Sequence, residues 1–173
     1  PESPVFFEVK ARVDNCILKQ RCGVRRAAVP FLLAGQFPES DWLLSREPRQ
    51  RAALEHFLPL SAALQARPRL HNSYTREAWV SSESNSVRVT FDRNIQPEPW
   101  FHFRTTCGLT QPVRVKPGEV VLELKFTTRF PDWFRLLVQR FNLMQGSCAK
   151  YSDAITLLGE HRLRPRGFSE WTR

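Results

Sequence analysis

The sequence predicts an α+β protein in which an antiparallel sheet closes into a barrel or tunnel with a charged interior and helices packed on the outside. Two strand-like runs, at residues 5–11 (VFFEVKA) and 120–126 (VVLELKF), each carry a glutamate and, two residues on, a lysine. Because successive side chains of a strand point to opposite faces, each glutamate shares a face with its lysine, and the other face is apolar. Amphipathic helical segments can cover the apolar faces, which leaves the charged faces to line an interior.

The composition is ordinary for a globular protein but the charge is not. The 173 residues suffice for one domain, with 42% hydrophobic and 25% charged residues, and no apolar run is long enough to span a membrane. The formal charge of +9 favours a polyanionic partner: nucleic acid, an anionic membrane surface or a phosphate-rich small molecule. Alternatively, the 21 arginines only decorate the surface. The five lysines are more specific, since four of them fall in or beside the motifs described here, and a lysine offers a compact point charge.

The cysteines indicate a reducing compartment. They show neither C-x-x-C spacing nor histidine partners at metal-ligand spacing, so we expect buried thiols rather than structural zinc, and a cytoplasmic location. The chain begins with Pro1, almost inside a strand, which we interpret as the start of a fragment or of a processed product. The four cysteines are Cys16, Cys22, Cys107 and Cys148.

The first 65 residues predict a charged hairpin and two helices. A turn at Asp14 and Asn15 leads into the strand CILKQRC, whose Ile17, Lys19 and Arg21 share one face. A short helix broken near Pro30 follows within residues 23–36. A longer helix is predicted for residues 45–65, capped by Ser45 and kinked or ended by Pro59. Its apolar side consists of Leu54, Phe57, Leu58 and Leu60.

The next segment predicts further strands. A strand from Tyr74 to Val80 carries Arg76, and a polar turn at residues 81–86 leads to a strand at residues 87–95. Residues 96–118 contain four prolines and predict an irregular segment, with a short strand near residues 101–104. The faces of the strand at residues 87–95 separate into Arg88, Thr90 and Asp92 on one side and Val87, Val89 and Phe91 on the other.

Two helices are predicted after the second E-x-K strand. Pro131 and Asp132 open the first, and Ser152 caps the second, which begins just after Lys150 and Tyr151. A basic tail follows at residues 162–173. The first helix is predicted to turn Trp133, Phe134, Leu137, Val138 and Phe141 toward the core.

The shared pattern of the strands points to anion binding. Taken singly, each acid–base pair on a strand face is a solvated ion pair worth about 0–1 kcal/mol. If the strands belong to one sheet, their cations crowd a common surface and repel one another unless an anion lies between them. The two glutamates can then anchor a divalent cation together with phosphate oxygens. The cations in question are Lys10, Arg12, Lys19, Arg21, Arg88 and Lys125.

Six motifs occur in a specific order: E-V-K, L-K-Q-R, Y-T-R-E-A-W, V-R-V-T-F-D-R-N-I, L-E-L-K-F and A-K-Y. From about Phe6 to Tyr151 the chain resembles the vacuolar transporter chaperone (VTC) domain, the polyphosphate polymerase domain of the triphosphate tunnel metalloenzyme superfamily. The resemblance implies a VTC-like domain at residues 1–161 and a basic tail at residues 162–173. It also implies that strands carrying an R-x-R motif precede Pro1, so that residues 1–161 form the C-terminal two-thirds of the domain and an incomplete, open barrel. The family's usual F-S-K-Y is here Cys148-Ala149-Lys150-Tyr151, without the serine hydroxyl.

The resemblance further implies an activity and its residues. The ATP γ-phosphoryl group would pass to phosphate or polyphosphate, with ADP released and Mn²⁺ or Mg²⁺ bound by Glu123 and, as a further ligand, Glu8. Catalytic roles fall to Lys10, Arg88, Lys125 and Lys150. Substrate-binding roles fall to Lys10, Lys19, Arg21, Arg76, Arg88, Lys125 and Lys150.

Three other functions remain open from the sequence: two would use the same site, and the third is nucleic-acid binding. The domain could be a non-catalytic polyphosphate- or anion-binding module, or a triphosphate hydrolase of the same superfamily. A nucleic-acid binder would use aromatic stacking platforms, but Trp79 and Trp133 lie on periodic apolar faces that favour the core. We therefore expect ATP and inorganic polyphosphate as partners and no nucleic acid. The aromatic residues considered for stacking are Trp42, Trp79, Trp100, Phe101 and Trp133.

Overall fold

A computed structural model describes most of the chain as two compact units, here called unit 1 (Pro1–Ala66) and unit 2 (Arg67–Arg173). The described residues are 3–14, 16–36, 38–82, 86–104, 106, 108–127, 129–146 and 148–164, without the side chains of Arg12 and Cys16. Several predicted features lie outside this description: Asn15 of the first turn, the middle of the turn at residues 81–86, Cys107, and residues 165–173 of the tail.

Unit 1 is built on an antiparallel hairpin. Strand β1 (Val5–Val13) pairs with β2 (Cys16–Val24), so that Glu8 faces Arg21 and Lys10 faces Lys19 across the ladder. Both strands were predicted and are confirmed. The helices of unit 1 are α1 (Val29–Leu33), preceded by a 3₁₀ turn at Arg26–Ala28, and α2 (Pro48–Ala63), preceded by a 3₁₀ turn at Ser40–Trp42.

The apolar face of the hairpin forms the core of unit 1 with α2. Phe7 and Cys22 are buried on this face and pack with Leu54 of α2. The rings of Phe7 and Phe57 meet edge to face with centroids 5.0 Å apart. The predicted apolar side of α2 is thus confirmed at Leu54, Phe57 and Leu58, and the charged face of the hairpin points away from this core.

Three predictions for the helices of unit 1 are wrong in detail. Pro30 does not break α1 but lies in its first turn, where a missing N–H costs nothing. Pro59 does not end α2, because the helix continues to Ala63 while its apolar side packs on the hairpin. Ser45 is not the cap: α2 begins at Pro48, and the Ser45 hydroxyl accepts a hydrogen bond from the N–H of Glu47.

Unit 2 contains an antiparallel sheet of three strands in the order β3–β4–β5. The strands are β3 (Leu70–Val80), β4 (Val87–Pro99) and β5 (Val121–Phe126). Helices α3 (Asp132–Arg140) and α4 (Lys150–Leu158) follow, with a 3₁₀ turn at Glu160–Leu163. The core of this unit consists of Ile95, Val115 and Ala154, with Leu70, Val121 and Cys148 packed against it.

The predicted irregular segment at residues 96–118 is partly wrong. β4 runs through Pro97 and Pro99, and residues 101–104 form no strand. The carbonyls of Ile95 and Pro97 accept hydrogen bonds from the N–H groups of Val115 and Val113, so a returning segment lies alongside β4. A proline can occupy this strand because its carbonyl still accepts a hydrogen bond although it has no N–H to donate.

The helices of unit 2 also differ from the prediction. Phe134 is fully buried, but Trp133 and Phe141 are 48% and 64% exposed instead of turning toward the core. Trp79, also expected in the core, is 63% exposed on β3. α4 begins at Lys150 itself, with no side-chain cap, so Ser152 lies inside the helix.

The α+β class is confirmed, whereas the single closed sheet is not. Within the described residues the strands form a two-stranded and a three-stranded sheet, and no closed barrel is present. This topology is compatible with an incomplete barrel. No described helix combines the length and the apolar character needed to cross a membrane.

Candidate anion-binding site

One face of the unit 2 sheet gathers charged side chains from three strands. The ladder pairs Arg76 with Asp92, and Arg88 with Lys125. The same register sets Thr90 opposite Glu123. Because side chains alternate along each strand, residues two apart point to the same side and the three pairs share one face. We call the side chains of Arg76, Arg88, Thr90, Asp92, Glu123 and Lys125, together with Lys150 from α4, the charged face of unit 2.

Asp92 is the centre of this face. Its side chain is fully buried, and the guanidinium of Arg76 donates two hydrogen bonds to it, from Nε to Oδ1 at 2.6 Å and from Nη2 to Oδ2 at 2.7 Å. Lys150 Nζ, on the first residue of α4, lies 2.7 Å from Oδ2. A buried carboxylate is tolerated only when it is paired in this way. Asp92 therefore fixes the positions of two cations that come from distant parts of the sequence.

The pKa values follow from these contacts. The hydrogen bonds from Arg76 lower the pKa of Asp92, against the opposing effect of burial, and Lys150 lowers it further. The same hydrogen bonds raise the pKa of Arg76 above its ordinary value. The carboxylate of Asp92 consequently stays ionised at neutral pH, and Arg76 stays charged.

Glu123 is the second carboxylate of the charged face, and it is more accessible. Lys125 Nζ lies 3.0 Å from Oε1, and the hydroxyl of Thr90 donates to Oε2 at 3.4 Å. Arg76 Nη2 is 3.8 Å from the same oxygen. The Glu123 side chain is 38% exposed, compared with 1% for Asp92, so Glu123 can still reach a ligand in solution.

Tyr74 adds an aromatic surface beside the two fixed cations. The guanidinium carbon of Arg76 lies 5.2 Å from the centroid of its ring, and Lys150 Nζ lies 5.0 Å from it. Both distances fall within the range of cation–π attraction. The ring thus helps to hold the cations without neutralising them, which leaves their charge available to an anion.

The charged face carries more positive than negative charge. Arg88 is exposed opposite Lys125, and within the part of the chain that the structure describes its side chain makes no ion pair or hydrogen bond. Two carboxylates, Asp92 and Glu123, face the four cations Arg76, Arg88, Lys125 and Lys150. Two like charges directly opposite each other repel. An anion held between Arg88 and Lys125 would relieve that repulsion.

Unit 1 has a charged face of its own on the hairpin. Glu8 accepts ion pairs from Lys10 Nζ at 3.1 Å and from Lys19 Nζ at 2.8 Å. Burial alone would raise the pKa of Glu8, but the hydrogen bonds from Lys19 and Lys10 outweigh it and lower the pKa. The guanidinium of Arg21 lies over the ring of Phe6, 3.6 Å from its centroid. We call Phe6, Glu8, Lys10, Lys19 and Arg21 the charged face of unit 1.

The predicted site residues therefore fall into two groups. Glu8, Lys10, Lys19 and Arg21 come together on unit 1, and Arg76, Arg88, Glu123, Lys125 and Lys150 come together on unit 2.

Sequence reasoning missed the central role of Asp92 and the parts played by Tyr74 and Phe6. The position of each on its charged face, though not its role, had a signal in the sequence, since each lies an even number of residues from a predicted cation on the same strand.

On the charged face of unit 2, a single carboxylate is available as a ligand for a metal ion. Among the described residues, no three His, Cys, Asp or Glu side chains cluster to form a metal site. Asp92 is buried and saturated by Arg76 and Lys150, whereas Glu123 is partly exposed. Mg²⁺ is commonly held by one or two carboxylates plus phosphate oxygens and water. Glu123 therefore fits as a protein ligand to an ion that a phosphate substrate brings with it.

The fold and the site define an α+β protein whose antiparallel sheets each present cations held in place by carboxylates, an arrangement suited to phosphate-rich anions. The family model of the VTC domain matches residues 1–159, so the chain belongs to the VTC domain family. The resemblance seen in the sequence motifs is thereby confirmed. No curated protein sequence matches the chain.

Proposed function

We propose that this VTC domain is a metal-dependent polyphosphate polymerase that transfers the γ-phosphoryl group of ATP to phosphate or to a polyphosphate chain. Membership of the family supports this function. The observation that carries it is the arrangement around Asp92, which fixes Arg76 and Lys150 and leaves the charged face with more cations than carboxylates. Such a face matches a ligand that carries several negative charges in a row.

Each cation keeps hydrogen-bond donors for the ligand. A guanidinium has five N–H donors, of which Asp92 takes two from Arg76, and an ammonium has three, of which Asp92 takes one from Lys150. Lys125 likewise gives one to Glu123. The remaining donors are aimed by groups that already hold their positions, so little reorganisation is needed when phosphate binds.

In the proposed reaction, an oxygen of the acceptor phosphate attacks the γ-phosphorus while the bond to the β–γ bridging oxygen breaks. The electron pair of that bond leaves with ADP. Phosphoryl transfer is catalysed mainly by positioning and by neutralisation of charge. On the charged face of unit 2, Arg88, Lys125 and Lys150 would supply that neutralisation, with Arg76 as a further phosphate contact. On the charged face of unit 1, Lys10 and Lys19 would do the same for phosphates bound there. Glu123 would hold Mn²⁺ or Mg²⁺, which supplies additional charge neutralisation on the phosphates. Glu8 is the corresponding carboxylate on the charged face of unit 1 and is proposed as a metal ligand there.

The proposal is tested with the full-length protein, ATP and Mn²⁺. We expect ADP and a ladder of polyphosphate, measured by gel electrophoresis and by ³¹P NMR of the chain phosphates. Glu123→Gln should lower turnover by at least tenfold, because it removes the proposed metal ligand, while Glu119→Gln, a matched change at another exposed glutamate, should leave turnover unchanged. ATP consumption without any polymer would refute the polymerase assignment.

Two alternatives give different results in the same experiment. Every carboxylate on the two charged faces is already paired with a cation, which is the observation that favours a non-catalytic anion-binding module. Such a module would keep its polyphosphate affinity in Glu123→Gln and would show no turnover in either form. A triphosphate hydrolase would release inorganic phosphate and form no chain.

The proposal includes a cytoplasmic location, where ATP is the available donor. Cys22 is a buried free thiol and Cys148 a half-buried one, as expected for a reducing compartment.

A further inference from the structure

On the charged face of unit 1, the Phe6 ring packs against Gly23 and the guanidinium of Arg21, a contact that phosphate binding does not require. Phe6 lies diagonally across the ladder from Arg21 and directly opposite Gly23. A Cβ atom added to Gly23 would stand 2.9 Å from Cε1 of Phe6 and 3.1 Å from Cδ1 of Leu44. The absence of a side chain at Gly23 therefore lets the Phe6 ring approach the backbone of β2 closely.

Arg21 places its guanidinium over the Phe6 ring. Its guanidinium carbon is 3.6 Å from the ring centroid, which is direct stacking contact. Glu8 is the residue opposite Arg21 in the ladder, yet its carboxylate is paired with Lys10 and Lys19. Within the described residues Arg21 makes no ion pair, and it is exposed. Its guanidinium thus lies against a ring, and because the side chain is exposed, the outer side of the guanidinium, away from the ring, is open to solvent.

We propose that the outer side of the Arg21 guanidinium is the platform on which the nucleobase of a nucleoside triphosphate stacks. Planar guanidinium groups stack on nucleobases as aromatic rings do. Lys10 and Lys19 face each other two residues further along the strands, about 7 Å from the platform at the rise of a β-strand. A base on Arg21 would therefore direct its phosphates toward a pair of lysines. This inference rests on the proposed use of ATP as donor.

The platform would distinguish a nucleotide from a bare phosphate chain. Among the described residues of this face, Arg21 lies over an aromatic ring, whereas Lys10 and Lys19 make no aromatic contact. Phe6, in contrast, is 45% exposed on a charged face, where an isolated aromatic ring gains little from burial. Its position is explained if its role is to keep the guanidinium of Arg21 flat.

The test compares ATP with inorganic tripolyphosphate as ligands of the full chain, by isothermal titration calorimetry at constant Mg²⁺. Arg21→Lys keeps the charge but removes the planar group. We expect it to weaken ATP binding about tenfold, the size of one base-stacking contact, and to change tripolyphosphate binding less than twofold. Arg51→Lys, the same change at an exposed arginine on α2, should alter neither.

A second variant acts on the ring and leaves Arg21 in place. Gly23→Ala forces the Phe6 ring away from β2 and should reproduce the selective loss of ATP affinity. Equal losses for ATP and tripolyphosphate in Arg21→Lys, or no loss for either, would overturn the proposed platform. If selective ATP loss appears but the wild-type protein makes no polyphosphate, the polymerase assignment fails while the nucleotide platform stands.

Discussion

Replacing Asp92 with asparagine tests whether one buried carboxylate organises the charged face of unit 2. The substitution keeps the shape of the side chain but removes the charge that Arg76 and Lys150 share. Removal of one partner from a buried ion pair costs about 3–5 kcal/mol. Arg76 keeps 35% of its side chain exposed and Lys150 20%, so water recovers part of that loss. We expect the free energy of unfolding to fall by about 2–3 kcal/mol at pH 7.

The pH dependence of this difference has a defined sign. The pKa of Asp92 in the folded protein lies below its ordinary value of 3.8, because of the hydrogen bonds from Arg76 and Lys150. A carboxylate with a lowered folded pKa contributes stability that is fully present above the unfolded pKa and is lost as the pH falls through the folded value. The gap between the wild type and Asp92→Asn should therefore be constant above about pH 5 and shrink below pH 3.8.

Urea unfolding at a series of pH values measures both quantities, with tryptophan fluorescence as the signal. Glu77→Gln is the matched control, since it neutralises an exposed carboxylate of the same sheet that pairs with Arg93 at 3.4 Å. An exposed pair of this kind is worth about 0–1 kcal/mol. A loss in Asp92→Asn no larger than that of the control, or a gap that persists unchanged into acid, would refute the central role of Asp92.

Three further substitutions test separate features. Arg88→Gln should weaken tripolyphosphate binding about five- to tenfold in calorimetry. It should change the free energy of unfolding by no more than about 0.5 kcal/mol, since this exposed side chain has no described partner. A loss of stability without a loss of affinity would contradict its proposed role. Glu98→Gln removes a buried charge that accepts hydrogen bonds from the hydroxyl and the N–H of Thr110, and should lower the free energy of unfolding by about 1–3 kcal/mol in urea titration; an unchanged midpoint would show that these bonds do not hold the returning segment. Pro59→Ala restores a helix N–H that can donate to the carbonyl of Glu55. It should raise the helical circular dichroism signal and increase the free energy of unfolding by about 1 kcal/mol or more, whereas a less stable variant would mean that the proline ring contributes packing.

The strands of the charged faces could be predicted because their signal is local. An alternation of period two, with the glutamate and lysine of E-x-K two residues apart, indicates which side chains share a face, whatever strand pairs with it. Lys10 and Lys125 were placed correctly on this basis.

The role of Asp92 could not be predicted in the same way. It depends on the hairpin register, which shifts between Ser73 and Thr75, and on the arrival of Lys150 from α4. Sequence periodicity contains neither piece of information.

Other errors have a common physical cause. Rules based on local sequence, such as proline ending a strand or apolar periodicity marking buried residues, do not include the tertiary contacts of the particular segment. Pro97 and Pro99 were placed in an irregular segment after a strand at residues 87–95, but β4 continues through them because a strand can use their carbonyl groups as acceptors. Trp133 of α3 and Phe141, the residue after its end, belong to one periodic apolar pattern. Apolar periodicity was equated with burial, although both residues are largely exposed. Hydrophobic patterning therefore identified the helix correctly and its packing only in part.

The two facing pairs of like charge, Arg88 with Lys125 and Lys10 with Lys19, make ionic strength act in opposite senses on this protein. Added salt screens the repulsion within each pair, which favours the folded ligand-free protein. The same salt screens the attraction between these cations and a polyanion, which weakens binding. Stabilisation by ligand follows from both effects, so it should be greatest at low ionic strength, where the free protein is least stable and its affinity is highest. A buffer chosen to keep the free protein folded is thus the one in which its ligand is hardest to detect.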